Sequence, residues 1–155
     1  MKFGAIPVAE AAGALLAHAL RRPGLVLPKG RRLTPADIER LRIAGIATIT
    51  GAVLEAGDIH EDAAAARLAR AVAGEGLAAT GATTGRVNLA AALSGLLVID
   101  RARLDRINGL DEAMTVGTLP PFAAVAAGTM AATIKIIPFA APEAALAQAE
   151  AIAAD

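Results

Sequence analysis

The run from Gly24 to Ile46, Gly-Leu-Val-Leu-Pro-Lys-Gly-Arg-Arg-Leu-Thr-Pro-Ala-Asp-Ile-Glu-Arg-Leu-Arg-Ile-Ala-Gly-Ile, constrains the fold more than any other stretch. Pro28-Lys29-Gly30 is turn chemistry, because proline presets φ and glycine accepts a positive φ. Thr34 then stands as a helix N-cap, with Pro35 at the first helical position, where a missing N–H costs nothing. Asp37, three residues past the cap, can reach back in a capping-box arrangement and meets the positive end of the helix dipole. Ile38 and Leu41 share a face, Gly45 can close the helix in a left-handed conformation, and Ile46 to Leu54 reads as the exit strand.

Around this unit the pattern predicts short elements of both kinds. Strands are expected at Lys2–Ile6, Leu15–Leu20, Leu25–Leu27, Leu77–Ala82, Leu96–Ile99, Met114–Leu119 and Thr129–Ile137. Helices are expected from Pro35 to Ala44, after an Asp58 cap with Glu61 as its partner, from an Asn88 cap to Leu93, from an Asp100 cap to Ile107, and from Pro142 onward. The lengths lack the regular alternation of a doubly wound sheet. They predict an α+β fold with a small twisted or barrel-like mixed β-sheet and several short helices. At 155 residues the chain is expected to form one domain, residues 1–155.

Apolar residues make up 55% of the chain but aromatics only 2%, so the core must lean on Leu, Ile and Val, since alanine buries little area. Fifteen acids balance fifteen bases, which argues against a nucleic-acid partner needing a basic face. With no cysteine there is no disulfide and no thiolate chemistry, and Met1–Pro7 lacks the apolar region of a signal peptide, so a cytoplasmic location is expected. The uncharged run from Ala113 to Ile134 is long enough to span a bilayer. Pro120-Pro121, Gly117 and Gly128 break it, and two buried strands around a proline turn are expected instead.

Four places carry chemistry. Asp58, His60 and Asp62 form the one dense cluster of titratable groups and have the ligand types for a divalent cation. A plainer reading makes Asp58 and Glu61 capping groups and Asp62 a partner of the helix dipole. Thr84, Arg86 and Asn88 surround a glycine with a hydroxyl, a guanidinium and a carboxamide, a set able to hold a phosphate or a pterin edge. The Gly-Lys-Ser/Thr ending of a P-loop is absent there. Lys29 belongs to a basic patch with Arg21, Arg22, Arg31 and Arg32 that could steer an anion. Lys135 should face outward from its strand while Ile136 faces inward, and it is an anion-binding candidate if it lines a cleft. No Ser/His/Asp group, carboxylate pair or dinucleotide fingerprint is present.

The Gly24–Ile46 run, in the pattern G-x-x-L-x-x-G-x-x-L-T-x-x-D-I-x-x-L-x-x-x-G-I, resembles the linker segment of the molybdopterin molybdotransferase group. Glu55–Asp62, Thr84–Leu89, Thr118–Phe122 and Ile134–Ala140 resemble a bacterial subgroup that joins a molybdopterin-binding half to a nucleotidyltransferase half. The resemblance implies the N-terminal domain of such a protein, with a role in assembly or in forming a ligand cleft and its catalytic residues elsewhere. It implies a parent transferase, a ligand that is molybdopterin or a nucleotide derivative of it, with Mg as an accompanying ion and no covalent attachment. The partners implied are downstream pterin-binding and nucleotidyltransferase domains and a second copy of the chain, with no nucleic acid and no membrane. The alternative, from another class, is a free-standing interaction or dimerisation module. It predicts a large exposed apolar patch and no ligand pocket.

Overall fold

Positive-φ glycines punctuate the first half of the chain, and the strands between them are short. The computed structural model describes residues 1–154 and divides into two compact units, Met1–Ala56 and Gly57–Asp155.

In the first unit, strand β1 (Lys2–Pro7) leads through a 3-10 turn at Val8–Glu10 to β2 (Leu15–Leu16). A hairpin of β3 (Leu20–Arg22) and β4 (Leu25–Leu27) follows, then helix α1 (Pro35–Ile43) and β5 (Thr48–Val53). Strand β5 lies between β1 and β2, antiparallel to both. Gly51 sits at the centre of β5 because a Cβ there would meet the Leu15 carbonyl oxygen at 2.7 Å. Val8, Ala11, Leu16, Leu25, Leu27, Leu33, Leu41 and Ile49 form the core. The strand expected over Leu15–Leu20 is broken: Ala17 and His18 form a bend, so that Leu20 can pair with Leu27 across the Pro23-Gly24 turn.

Helix α1 forms as its sequence dictates. Thr34 Oγ1 accepts the Asp37 N–H, and Asp37 Oδ2 accepts the Thr34 N–H at 3.0 Å, closing the capping box. Such a cap is worth about 1 kcal/mol. Gly45 follows in the left-handed region at φ +70°.

The second unit starts with β6 (Asp58–His60), α2 (Glu61–Val72), β7 (Leu77–Ala79), β8 (Arg86–Ala91) and β9 (Gly95–Leu96). It continues with α3 (Arg101–Asn108), β10 (Met114–Thr118), β11 (Ala124–Val125), β12 (Met130–Ile136), β13 (Ala140–Pro142) and α4 (Glu143–Ala154). Its main sheet has the order β10-β12-β8-β7, and every neighbouring pair is antiparallel. The short pairs β9–β11 and β6–β13 are antiparallel too. The fold is therefore α+β, with its strands shared among several small open antiparallel sheets rather than gathered into one mixed sheet or barrel.

Val87, Leu89, Ile134, Ile136, Met114 and Val116 turn one face of the four-stranded sheet into a core with Ala65, Leu68, Leu146 and Ala149 of the helices. The small alanines of α2 let the strands approach closely. Arg67 ties α2 to α4, donating to Glu150 through Nε and Nη2 at 2.9 and 2.8 Å and to Glu143 at 2.7 Å. The Arg67 guanidinium holds the Glu150 carboxyl below its ordinary range.

Three local expectations are corrected. Asp58 caps no helix: it lies in β6, paired with Pro142, and α2 is capped by His60, whose Nδ1 accepts the Asp62 N–H at 3.3 Å. Asn88 caps no helix either and sits within β8, where pairing on both sides outweighs its local capping preference. In Leu96–Ile99 only Leu97 is buried, and the strand there is the two-residue β9. The uncharged stretch from Ala113 becomes β10, β11 and most of β12. Among the described residues no helix is long and apolar enough to cross a membrane.

Candidate functional site

Strand alternation puts the second set of side chains of the four-stranded sheet on the face opposite the helices. On β8 these are Arg86, Asn88 and Ala90, each more open than the buried Val87, Leu89 and Ala91 between them. The ladders align them in rows. Lys135 of β12 is the direct partner of Arg86 on one side and of Thr115 of β10 on the other. In the next row Thr133 lies between Asn88 and Gly117. Lys135 thus faces outward and Ile136 inward, as the alternation predicts.

The second row is tied together by hydrogen bonds. Thr133 Oγ1 donates to Asn88 Oδ1 at 3.0 Å, the Asn88 N–H donates to Thr80 Oγ1 at 3.0 Å, and the Thr80 N–H returns to the Asn88 carbonyl at 2.9 Å. The first row is held from one end. Thr83 and Arg86 exchange both backbone hydrogen bonds around Thr84-Gly85, with φ of 48° and 69°, a tight hairpin turn. Gly85 donates to Asp62 Oδ1 at 2.8 Å and accepts from the Ile136 N–H at 2.7 Å. A Cβ at Gly85 would lie 2.7 Å from Glu61 Oε2 and 2.8 Å from the Ile136 carbonyl oxygen, so only glycine fits. Thr84, a β-branched residue at positive φ, carries strain at the turn.

Of the five ligand candidates, Arg86, Asn88 and Lys135 share this face and Thr84 forms the turn at its edge. Lys29 is not part of that sheet: it belongs to the first unit, exposed in the turn that Gly30 makes at φ +78°. The cluster Asp58, His60 and Asp62 is engaged otherwise, with Asp62 on Gly85, His60 on the α2 start and Asp58 in β6. Among the described residues no group of three or more His, Asp or Glu is placed to hold a metal ion.

Electrostatically the two units differ. The first carries eight Lys and Arg against four Asp and Glu, the second seven against eleven, so a neutral total conceals charges of +4 and −4. Within the acidic second unit, neither Arg86 nor Lys135 forms an ion pair with any described carboxylate. In the first unit Asp37 is buried and receives Arg31 Nε at 2.9 Å. That hydrogen bond, with those from Thr34, outweighs burial and lowers the Asp37 carboxyl to about 2.

The sequence did not announce a cleft of about 450 Å³ in the second unit, lined by Leu77, Leu93, Leu96, Leu104, Ile107 and Val116. Of its lining, Leu93, Leu96 and Val98 are exposed, as is Phe122 on the ribbon that carries β9 and β11.

A sequence family described as a domain of unknown function, DUF8806, matches residues 5–53, nearly the whole of the first unit and none of the candidate sheet. No curated protein and no solved structure matches the chain.

Proposed function

We propose that the chain is the ligand-cleft segment of a molybdopterin-binding protein of molybdenum-cofactor biosynthesis, assisting a parent transferase rather than performing its catalysis. The observation that supports this reading is convergence. Thr84, Arg86, Asn88 and Lys135, drawn from two of the segments that carry the family resemblance, come together on one face and edge of one sheet. The donors there fit the phosphate end of molybdopterin or of its nucleotide derivative, with Arg86 and Lys135 as the groups that would hold it. The face offers no aromatic side chain to stack a pterin ring, so the ring would be held by the downstream pterin-binding domain, with Mg as accompanying ion. A cytoplasmic setting fits the absence of cysteine. Titrating the chain with molybdopterin under anaerobic conditions tests the reading. Saturable binding that weakens in Arg86→Ala supports it, and unchanged affinity in that variant removes this face from the ligand site.

A second reading has its own observation. The exposed Leu93, Leu96, Val98 and Phe122 favour an interaction or dimerisation module, since apolar side chains grouped on one ribbon commonly mark a partner surface. Sedimentation of the chain against a Leu96→Ser, Phe122→Ser variant decides it. A self-association lost in the variant supports the module, and a monomer in both removes self-association through this ribbon.

A further inference from the structure

We propose that the outer face of the four-stranded sheet binds a phosphoryl group, presented as a phosphomonoester or a diphosphate, between Arg86 and Lys135. The site deepens the ligand-cleft reading and rests on the same face, but its argument needs no pterin. Arg86 and Lys135 stand directly opposite each other on neighbouring strands. Such partners have Cβ atoms about 4.5–5.5 Å apart, and like charges at that spacing repel. Surface cations are commonly paired with carboxylates, as Arg67 is with Glu143 and Glu150 in this same unit. Here the unit is rich in acids, yet none of the described ones pairs with either cation.

The neighbours extend the same chemistry. Thr115, beside Lys135, makes no side-chain hydrogen bond with a described residue, so its hydroxyl is available to donate. Asn88 accepts from Thr133 through Oδ1, which leaves its NH2 group without a described acceptor. A planar guanidinium, an ammonium, a hydroxyl and an amide NH2 on one face supply donors without a competing carboxylate, the set that a phosphate dianion requires. Gly117, across from Thr133, leaves open space above the second row. Because Gly85 is bonded both to Asp62 and to Ile136, the backbone that carries Arg86 is set before any ligand arrives.

The experiment is a backbone-amide NMR titration of the whole chain with inorganic phosphate, pyrophosphate and cytidine monophosphate, with ionic strength held constant by sodium chloride. The expected result is saturable shifts at Arg86, Asn88, Thr115 and Lys135, weakened about tenfold in Arg86→Ala and in Lys135→Ala and abolished in the double variant. Shifts reproduced by chloride alone, or binding that survives in the double variant, would overturn the site. Pyrophosphate binding tighter than the monoester assigns the diphosphate as its ligand, and the reverse order assigns the monoester. A parallel anaerobic titration with molybdopterin separates the two proposals. Phosphate binding without molybdopterin binding leaves this site standing and counts against the pterin reading alone. Failure of all three phosphate probes overturns this site whatever the pterin does.

Discussion

Two arginines follow a left-handed glycine in this chain, and their fates differ. Arg31 leaves the turn at Gly30, φ +78°, and its Nε meets Asp37 at 2.9 Å, inside the box that starts α1. Arg86 leaves the turn at Gly85, φ +69°, and stands beside Lys135 with no described carboxylate. The two places share the Gly-Arg pair. The difference lies in what each arginine meets: a buried acid six residues further on in the first unit, a second cation brought across by the sheet in the second. One arginine is part of the architecture, and the other is left available to a ligand.

Removing the acid should break the first half of that contrast most severely. Asp37→Ala leaves Arg31 without its carboxylate and both Thr34 donors without their acceptor, so the first unit should lose about 3 kcal/mol in urea unfolding. A loss under about 1 kcal/mol would mean that the box is ornamental. Gly85→Ala should follow at about 2–3 kcal/mol, because a Cβ meets backbone oxygen at 2.8 Å in a left-handed conformation. The same change at Gly30, where a Cβ meets nothing within 4 Å, should cost less, which sharpens the comparison between the two turns.

Acid should act on the first unit through the same carboxylate. The Asp37 carboxyl is lowered to about 2 in the folded chain from an ordinary 3.8, so its contribution is complete above pH 4 and fades as pH falls towards 2. By linkage the loss amounts to about 2 kcal/mol. Asp37→Asn should flatten that part of the pH profile, and an unchanged acid limb would assign it to other carboxylates. Arg86 and Lys135 have no described acid partner, so no such loss is expected from their pairing.

The two halves of the contrast were not equally legible. Everything that fixes Arg31 lies within ten residues, from Pro28 to Asp37; turn chemistry and capping rules read the turn and the Thr34–Asp37 box directly, but not the ion pair that takes Arg31 out of the basic patch. Arg86 and Lys135 are forty-nine positions apart, and their adjacency depends on a ladder register that no local pattern encodes. Half of that face was still within reach. The outward position of Lys135 follows from alternation in Ile134-Lys135-Ile136, and the same alternation runs through Arg86-Val87-Asn88-Leu89. There an asparagine that looked like a cap concealed it. Asp58 misled for a related reason: its acid-rich surroundings imitate a helix start, and only pairing with Pro142, far along the chain, shows it to be strand. The apolar run Leu96–Ile99 implied burial, but its short ribbon leaves Leu96 and Val98 open.

The smallest expected effect is the most discriminating. If Arg86 and Lys135 were structural, replacing either would cost stability, as is expected for Arg31 with its buried partner. If they are a repelling pair that an anion relieves, Arg86→Ala should leave the unliganded second unit unchanged or stabilise it by up to about 0.5 kcal/mol. The gain should shrink as sodium chloride rises, because screening weakens the repulsion that the substitution removes. Phosphate should then reverse the order, raising the melting temperature of the native chain above that of the variant, since a ligand stabilises only the fold that binds it. A clear loss of stability in Arg86→Ala without phosphate would place this arginine with Arg31, as part of the scaffold.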